Sequence, residues 1–190
     1  MEALFISTGV VALAEIGDKT QLLAFILAAR FKKPAPIIAG ILCATIVNHG
    51  LAGALGAWIT GAVSPGILRW ILGASFIAMA VWMLIPDKID DDAAGGKQRF
   101  GVFGTTVIAF FLAEMGDKTQ IATVELAARY PDIVQVVLGT TFGMMLANVP
   151  AVFLGDKIAK KVSMKLVHGI AAVIFAILGV LTLFNVGKLF

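Results

Sequence analysis

Cysteine is almost absent: Cys43 is the single one in 190 residues. An intrachain disulfide and any cysteine-based metal motif are thereby excluded. Histidine is scarce as well, with only His49 and His168, which argues against the His- or Cys-rich sites that hold zinc or cuprous ions. Charge is thin. Only 14% of residues are Asp, Glu, Lys or Arg, where a soluble domain carries about 25%. The formal net charge of +3 is too small, and too confined to loops, to mark a nucleic-acid surface. The opening Met1-Glu2 has no basic stretch and does not read as a signal peptide. What fills the chain instead is apolar: 59% of residues are hydrophobic and the mean hydropathy is +0.97. Several runs are long enough to cross a hydrocarbon core of ~30 Å as helices. The expectation is an all-α polytopic membrane protein, one transmembrane domain over residues 1–190, with no room for a separate soluble domain.

Six spans are expected, over about 3–29, 37–60, 67–85, 100–128, 133–154 and 166–186. Arg30-Phe31-Lys32-Lys33-Pro34, the Gly61–Gly66 stretch with Pro65, Pro86 and Arg129-Tyr130-Pro131-Asp132 punctuate them. A polar linker over 87–100 divides a first half, about 1–86, from a second, about 101–190. At an offset of 99 the halves align without a gap. Leu13–Arg30 lies over Leu112–Arg129, Gly40 over Gly139, Gly56 over Gly155 and Phe76 over Phe175. A helix over 3–29 would reach ~40 Å at ~1.5 Å per residue, so the first and fourth spans are expected to be tilted, or broken at Gly17 and Gly116. Lysine and arginine concentrate in the loops after spans one, three and five (Arg30, Lys32, Lys33; Lys88, Lys97, Arg99; Lys157, Lys160, Lys161, Lys165). The opposite side holds Arg69, Arg129 and Lys188. The excess puts the first set in the cytoplasm and both termini outside. Each half has an odd number of spans, so the halves are inverted, an arrangement frequent in alternating-access transporters.

One heptapeptide occurs twice in the apolar background: Glu15-Ile16-Gly17-Asp18-Lys19-Thr20-Gln21 and Glu114-Met115-Gly116-Asp117-Lys118-Thr119-Gln120. A charged side chain at the bilayer centre costs roughly 2.5–3.5 kcal/mol on the insertion scale, so six of them demand a reason. In continuous helices Glu15 and Asp18 would share a face, as would Glu114 and Asp117, and each lysine would stand four residues after its glutamate as an ion-pair partner. Four converging carboxylates call for a cation, for protons, or for both. An all-oxygen set suits hard divalent ions such as Ca²⁺, Mg²⁺ and Mn²⁺, with Thr20, Gln21, Thr119 and Gln120 as neutral donors. With Lys19 and Lys118 charged the six groups sum to −2, which one divalent ion or two protons would cancel. Exchange of a divalent cation against protons follows as an expectation, with Glu15, Asp18, Glu114 and Asp117 carrying both loads. The plainer alternative is a structural Glu–Lys lock between helices.

The paired Glu-x-Gly-Asp-(Lys/Arg)-(Thr/Ser) motifs in two three-helix halves resemble the small divalent-cation/proton exchangers of the Golgi and chloroplast manganese/calcium type, a family that includes bacterial manganese exporters. The resemblance covers essentially the whole chain, and neither motif departs from the pattern. It implies Mn²⁺, or alternatively Ca²⁺, moved out of the cytoplasm against protons, with Glu15, Asp18, Glu114 and Asp117 as the cation site and the threonines and glutamines as helpers. It implies no cofactor and no enzyme activity; its partners are the metal ion, protons and the lipid bilayer, with no nucleic acid. Lack of an organellar targeting extension fits a bacterial plasma membrane. Oligomeric state is not readable.

Outside the motifs, Asn48 and His49 lie in span two and Asn148 in span five, with His49 and Asn148 at matching positions. They read as further metal ligands or a proton relay (Asn148 the stronger ligand candidate, His49 the relay), or else as interhelical hydrogen bonds. Glu125 has no counterpart, since Ile26 stands in its place; it reads as lining an exit path or else as a solvated helix end, and the second is expected. Asp90-Asp91-Asp92 reads as a solvated loop, His168 as interfacial, Trp58, Trp70 and Trp82 as interfacial anchors, and Gly53, Gly56, Gly139 and Gly143 as close helix contacts. A passive cation channel and an intramembrane aspartyl protease are the competing classes. The second needs two aspartates sharing a proton, which the adjacent glutamates and lysines fit poorly.

Overall fold

The computed structural model describes residues 1–85, 100–154 and 164–185. The linker with Lys88, Asp90, Asp91, Asp92, Lys97 and Arg99, the loop with Gly155, Lys157, Lys160 and Lys161, and Lys188 lie outside the described residues. The described residues form eight α-helices and no strand: α1 (Glu2–Glu15), α2 (Lys19–Phe31), α3 (Pro34–Ala62), α4 (Pro65–Met83), α5 (Gly101–Glu114), α6 (Lys118–Arg129), α7 (Ile133–Leu154) and α8 (Met164–Leu183). Four helical stretches, Pro34–Ala62, Pro65–Met83, Ile133–Phe153 and Lys165–Leu183, are long and apolar enough to cross a membrane. Gly101–Glu114 is a shorter apolar helix. Proline sets two starts: Pro34 and Pro65 open α3 and α4, where a missing N–H costs nothing. That is why α3 begins three residues before the expected span.

The expected first and fourth spans are not continuous helices. Each is cut after its glutamate, α1 from α2 at residues 16–18 and α5 from α6 at residues 115–117. Interruption, rather than tilt of one long helix, is how those stretches depart from a straight span.

The helix ends gather at two faces. On the face holding the N-terminus, Met1 donates to Gln135 at the start of α7, Thr60 near the end of α3 donates to Ala128 O near the end of α6, and Arg129 reaches Thr182 near the end of α8. On the opposite face, residues from α2, the start of α3, α5 and the end of α7 share an apolar cluster that includes Leu27, Ile37, Phe110 and Val152. The half-helices therefore divide: α1 and α6 lie toward the N-terminal face, α2 and α5 toward the opposite one. A second cluster joins α1, α4, α6 and α8 around Val10, Phe76, Met79, Leu126 and Phe175. Helices α4 and α8 pack on each other and cover α1 and α6.

Close approach between helices rests on small residues. A Cβ on Gly139 would stand 2.5 Å from Leu4 O and 2.9 Å from Ser7 Cβ; one on Gly40 would stand 3.0 Å from Phe103 O and 2.7 Å from Thr106 Cβ. Leu4 and Ser7 lie 99 residues before Phe103 and Thr106, as Gly40 lies before Gly139. The α1–α7 and α5–α3 contacts are thus equivalent. Gly53, Gly56 and Gly143 are likewise filled by neighbouring helices, in keeping with their expected role. Trp58 and Trp70 are exposed.

Candidate metal centre at the two helix breaks

The breaks are nearly superimposable in backbone angle. Ile16 (φ −65°, ψ 113°) matches Met115 (−62°, 115°), and Asp18 (−79°, 168°) matches Asp117 (−79°, 164°). Between them Gly17 and Gly116 take φ +86° and +75°, a left-handed conformation that L side chains resist. At Gly116 a Cβ would meet nothing within 4 Å, so the glycine is required by the backbone and not by space. A broken helix leaves amides without helical partners, and the motif supplies them. Gly17 N–H donates to Gln21 Oε1 at 3.0 Å and Gly116 N–H to Gln120 Oε1 at 2.7 Å. Asp18 and Asp117 stand at the N-caps of α2 and α6, where Asp117 Oδ1 accepts from Lys118 N–H at 2.8 Å.

Glu15 and Glu114 end α1 and α5, where the helix dipole is negative and favours a cation nearby. Each accepts from the threonine five residues on: Thr20 on Glu15 Oε2, and Thr119 on Glu114 Oε2 at 2.9 Å. Asn148 Nδ2 reaches Glu15 Oε2 at 3.5 Å. Carboxylate oxygens of Glu15, Glu114 and Asp117, all buried, lie within 4.8 Å of one another. Glu15 Oε1, Glu114 Oε1, Asp117 Oδ2 and Asn148 Oδ1 are buried and accept no hydrogen bond. Every one of these is an acceptor, so what the site lacks is a positive charge or protons. Lys19 Nζ stands 3.4 Å from Asp117 Oδ2. Three carboxylates and one ammonium leave a local charge of −2.

The structure corrects several local expectations. Lys19 does not pair with Glu15 four residues back; the break turns it onto Asp117 of the other half. Lys118 donates to Ile85 O at 2.8 Å, beyond the end of α4. The helical face that Glu15 and Asp18 would have shared does not exist, because residues 16–18 are not helical. Asp18 is buried but lies outside the three-acid group. Gln21 donates to Ala147 O at 3.0 Å, and Gln120 to Asn48 Oδ1. His49 is fully buried with neither ring nitrogen hydrogen-bonded. His168, expected at the start of the sixth span, has its Nε2 3.1 Å from Ile16 O in the first break. Glu125, expected at a solvated helix end, is 5% exposed, because α4 covers that face of α6. No local sequence signal marked His168, whose partner is 152 residues away.

A protein family described as divalent cation/proton antiporter GDT1 matches the chain over residues 3–91 and 102–188. A protein of Vibrio cholerae serotype O1 named "Putative manganese exporter" is 50% identical over 185 residues, covering 97% of this chain and 92% of that protein. GDT1-like protein 3 of Oryza sativa subsp. japonica is 28% identical over 200 residues, covering 92% and 71% of the two chains. GDT1-like protein 3 of Arabidopsis thaliana is 27% identical over 201 residues, covering 92% and 68%. No solved structure matches the chain.

Proposed function

The chain belongs to the GDT1 family of divalent cation/proton antiporters, and on that footing we propose that it exports Mn²⁺ from the cytoplasm in exchange for protons. The observation that carries this reading is the buried group of Glu15, Glu114 and Asp117, drawn from both halves, in which one oxygen of each carboxylate accepts no hydrogen bond. A local charge of −2 is cancelled by one divalent ion or by two protons, and an ion enters as deprotonated ligands are needed and protons leave. Either load makes a neutral cluster that can be occluded; a half-neutralised one is costly to bury. Alternating access then carries the two loads in opposite directions. Asp18, Asn148 and the motif threonines and glutamines complete or position the set, and Lys19 adjusts its charge.

The architecture proposed is six spans in two inverted repeats within one domain. The equivalent Gly40 and Gly139 contacts support the repeat. Its inversion is supported by α1 lying toward the N-terminal face while its counterpart α5 lies toward the opposite one. The membrane is proposed to be a bacterial inner membrane with both termini outside. Mn²⁺ is preferred over Ca²⁺ because the Vibrio cholerae relative carries a manganese exporter's name.

Proteoliposomes loaded with a pH-sensitive dye test the reading, with Mn²⁺, Ca²⁺ and Mg²⁺ compared side by side. Saturable Mn²⁺ flux with opposite proton movement, driven by an imposed pH gradient, is the expected result. Stronger Ca²⁺ flux would reassign the ion. Mn²⁺ flux that moves no protons and ignores the gradient would leave a uniporter or channel.

A further inference from the structure

Apart from the motif acids, Glu125 is the one buried carboxyl among the described residues. It lies eight residues beyond Asp117 on α6, a rise of about 12 Å toward the N-terminal face. Its Oε2 accepts no hydrogen bond and its polar neighbour is Ser75 of α4. The Ser75 hydroxyl is within hydrogen-bond reach of both Glu125 and Leu72 O (2.9 Å), and its single proton serves one of them at a time, so it brings no charge to the carboxyl. The charged and titratable groups of the helices packed around it are Lys118 and Arg129 on α6, Arg69 on α4, Glu2 and Glu15 on α1, and His49 on α3; none forms an ion pair with Glu125. Arg129, one turn on, turns instead to Thr182 at 2.7 Å. Beside Arg129 and Tyr130 lies a pocket of about 490 Å³, lined also by Thr60 and Leu68, with room for water.

The first half carries nothing comparable. Ile26 holds the matching place on α2 and is 40% exposed. The difference follows the cover: α4 and α8 pack over α1 and α6. An ionised carboxylate at position 125 would lack a counter-charge, and a proton is the smallest that fits. We propose that Glu125 is a proton-transfer site on the N-terminal side of the metal centre, connecting the pocket at Arg129 and Tyr130 to the Glu15–Glu114–Asp117 group. A proton from water on that face binds a Glu125 carboxylate oxygen when α4 and α8 draw back. It then passes to a carboxylate of the group as the metal ion departs, and Glu125 returns to its unprotonated form. The passage on the opposite face has no such residue at the matching position.

This inference rests on the antiport reading, and one experiment separates the two. Proteoliposomes sorted for one orientation are assayed for Mn²⁺-driven proton flux and for Mn²⁺-for-Mn²⁺ exchange while pH is varied on the N-terminal side. The variants are Glu125→Gln and Glu125→Ile, the latter copying the first half. The ratio of proton-coupled flux to metal exchange is expected to fall by about a hundredfold, the low end of what a positioned proton-transfer group contributes. Glu125→Asp should restore much of the ratio with a displaced pH profile. If Glu125→Gln and Glu125→Ile fail to fold, the Asp variant decides alone, and an unshifted profile overturns the proposal. So does a wild-type response to N-terminal-side pH in either of the other two. Wild-type protein that moves Mn²⁺ without protons refutes the antiport reading itself.

Discussion

Asp117→Asn separates charge from geometry at the metal centre. Asparagine keeps the Oδ1 acceptor for Lys118 N–H and caps a helix about as well as aspartate, so α6 should begin where it does now. What disappears is one of three carboxylates within 4.8 Å. At an effective dielectric of about 20, two unit charges at that separation interact by about 3.5 kcal/mol. At a pH high enough to strip the protons and ionise all three acids, the substitution removes two such repulsions and loses the attraction of Lys19, a partly exposed and therefore screened partner. A net gain of about 1 kcal/mol for the metal-free protein is expected, roughly 2–4 °C in melting temperature. Metal binding moves the other way. A divalent ion doubles the interaction to about 7 kcal/mol; if hydration and relaxation cancel two thirds of it, affinity still falls about fiftyfold. Thermal unfolding in detergent, with and without Mn²⁺, reads both effects at once. A variant that melts lower without metal, yet keeps the wild-type Mn²⁺ shift, would refute the placement of Asp117 in a shared acid group.

Gly116→Ala should cost about 1–2 kcal/mol through its left-handed backbone alone, and should weaken the Mn²⁺-dependent stabilisation because Glu114 and Asp117 flank it; a melting curve unchanged in both respects would contradict the break. Gly139→Ala should cost about 1–3 kcal/mol by pushing α7 off Leu4 and Ser7 of α1, while the increment added by Mn²⁺ survives in the fraction that folds; ligand-induced shifts measured on the same sample distinguish the two glycines.

Much of the centre was legible because the motif is local. The ungapped offset of 99 foretold equivalent helix contacts, and glycine between two acids foretold the breaks. The grouped acids Glu15, Glu114 and Asp117, with Lys19 beside them, sum to −2 as well. The lost expectations share one cause. Pairing Lys19 with Glu15 assumed an unbroken helix, and a break reorients everything after it. Glu125 and His168 depend on where α4 and α8 settle, and those helices show apolar surfaces with little in their sequence to say which half-helix they will cover. Burial of Glu125 is a tertiary outcome: its own helix would place it near an end.

The bonds that seal each break run within a single heptapeptide, from glycine to glutamine and from threonine to glutamate. The acid group, by contrast, takes Glu15 from one half and Glu114 with Asp117 from the other. Local form and chemistry are therefore inherited separately. Half of the gene encodes a complete broken helix, and neither half encodes a charge trap. Two such halves on separate polypeptides would each carry the fold of the motif, and only their meeting would bring the three carboxylates within 4.8 Å of one another.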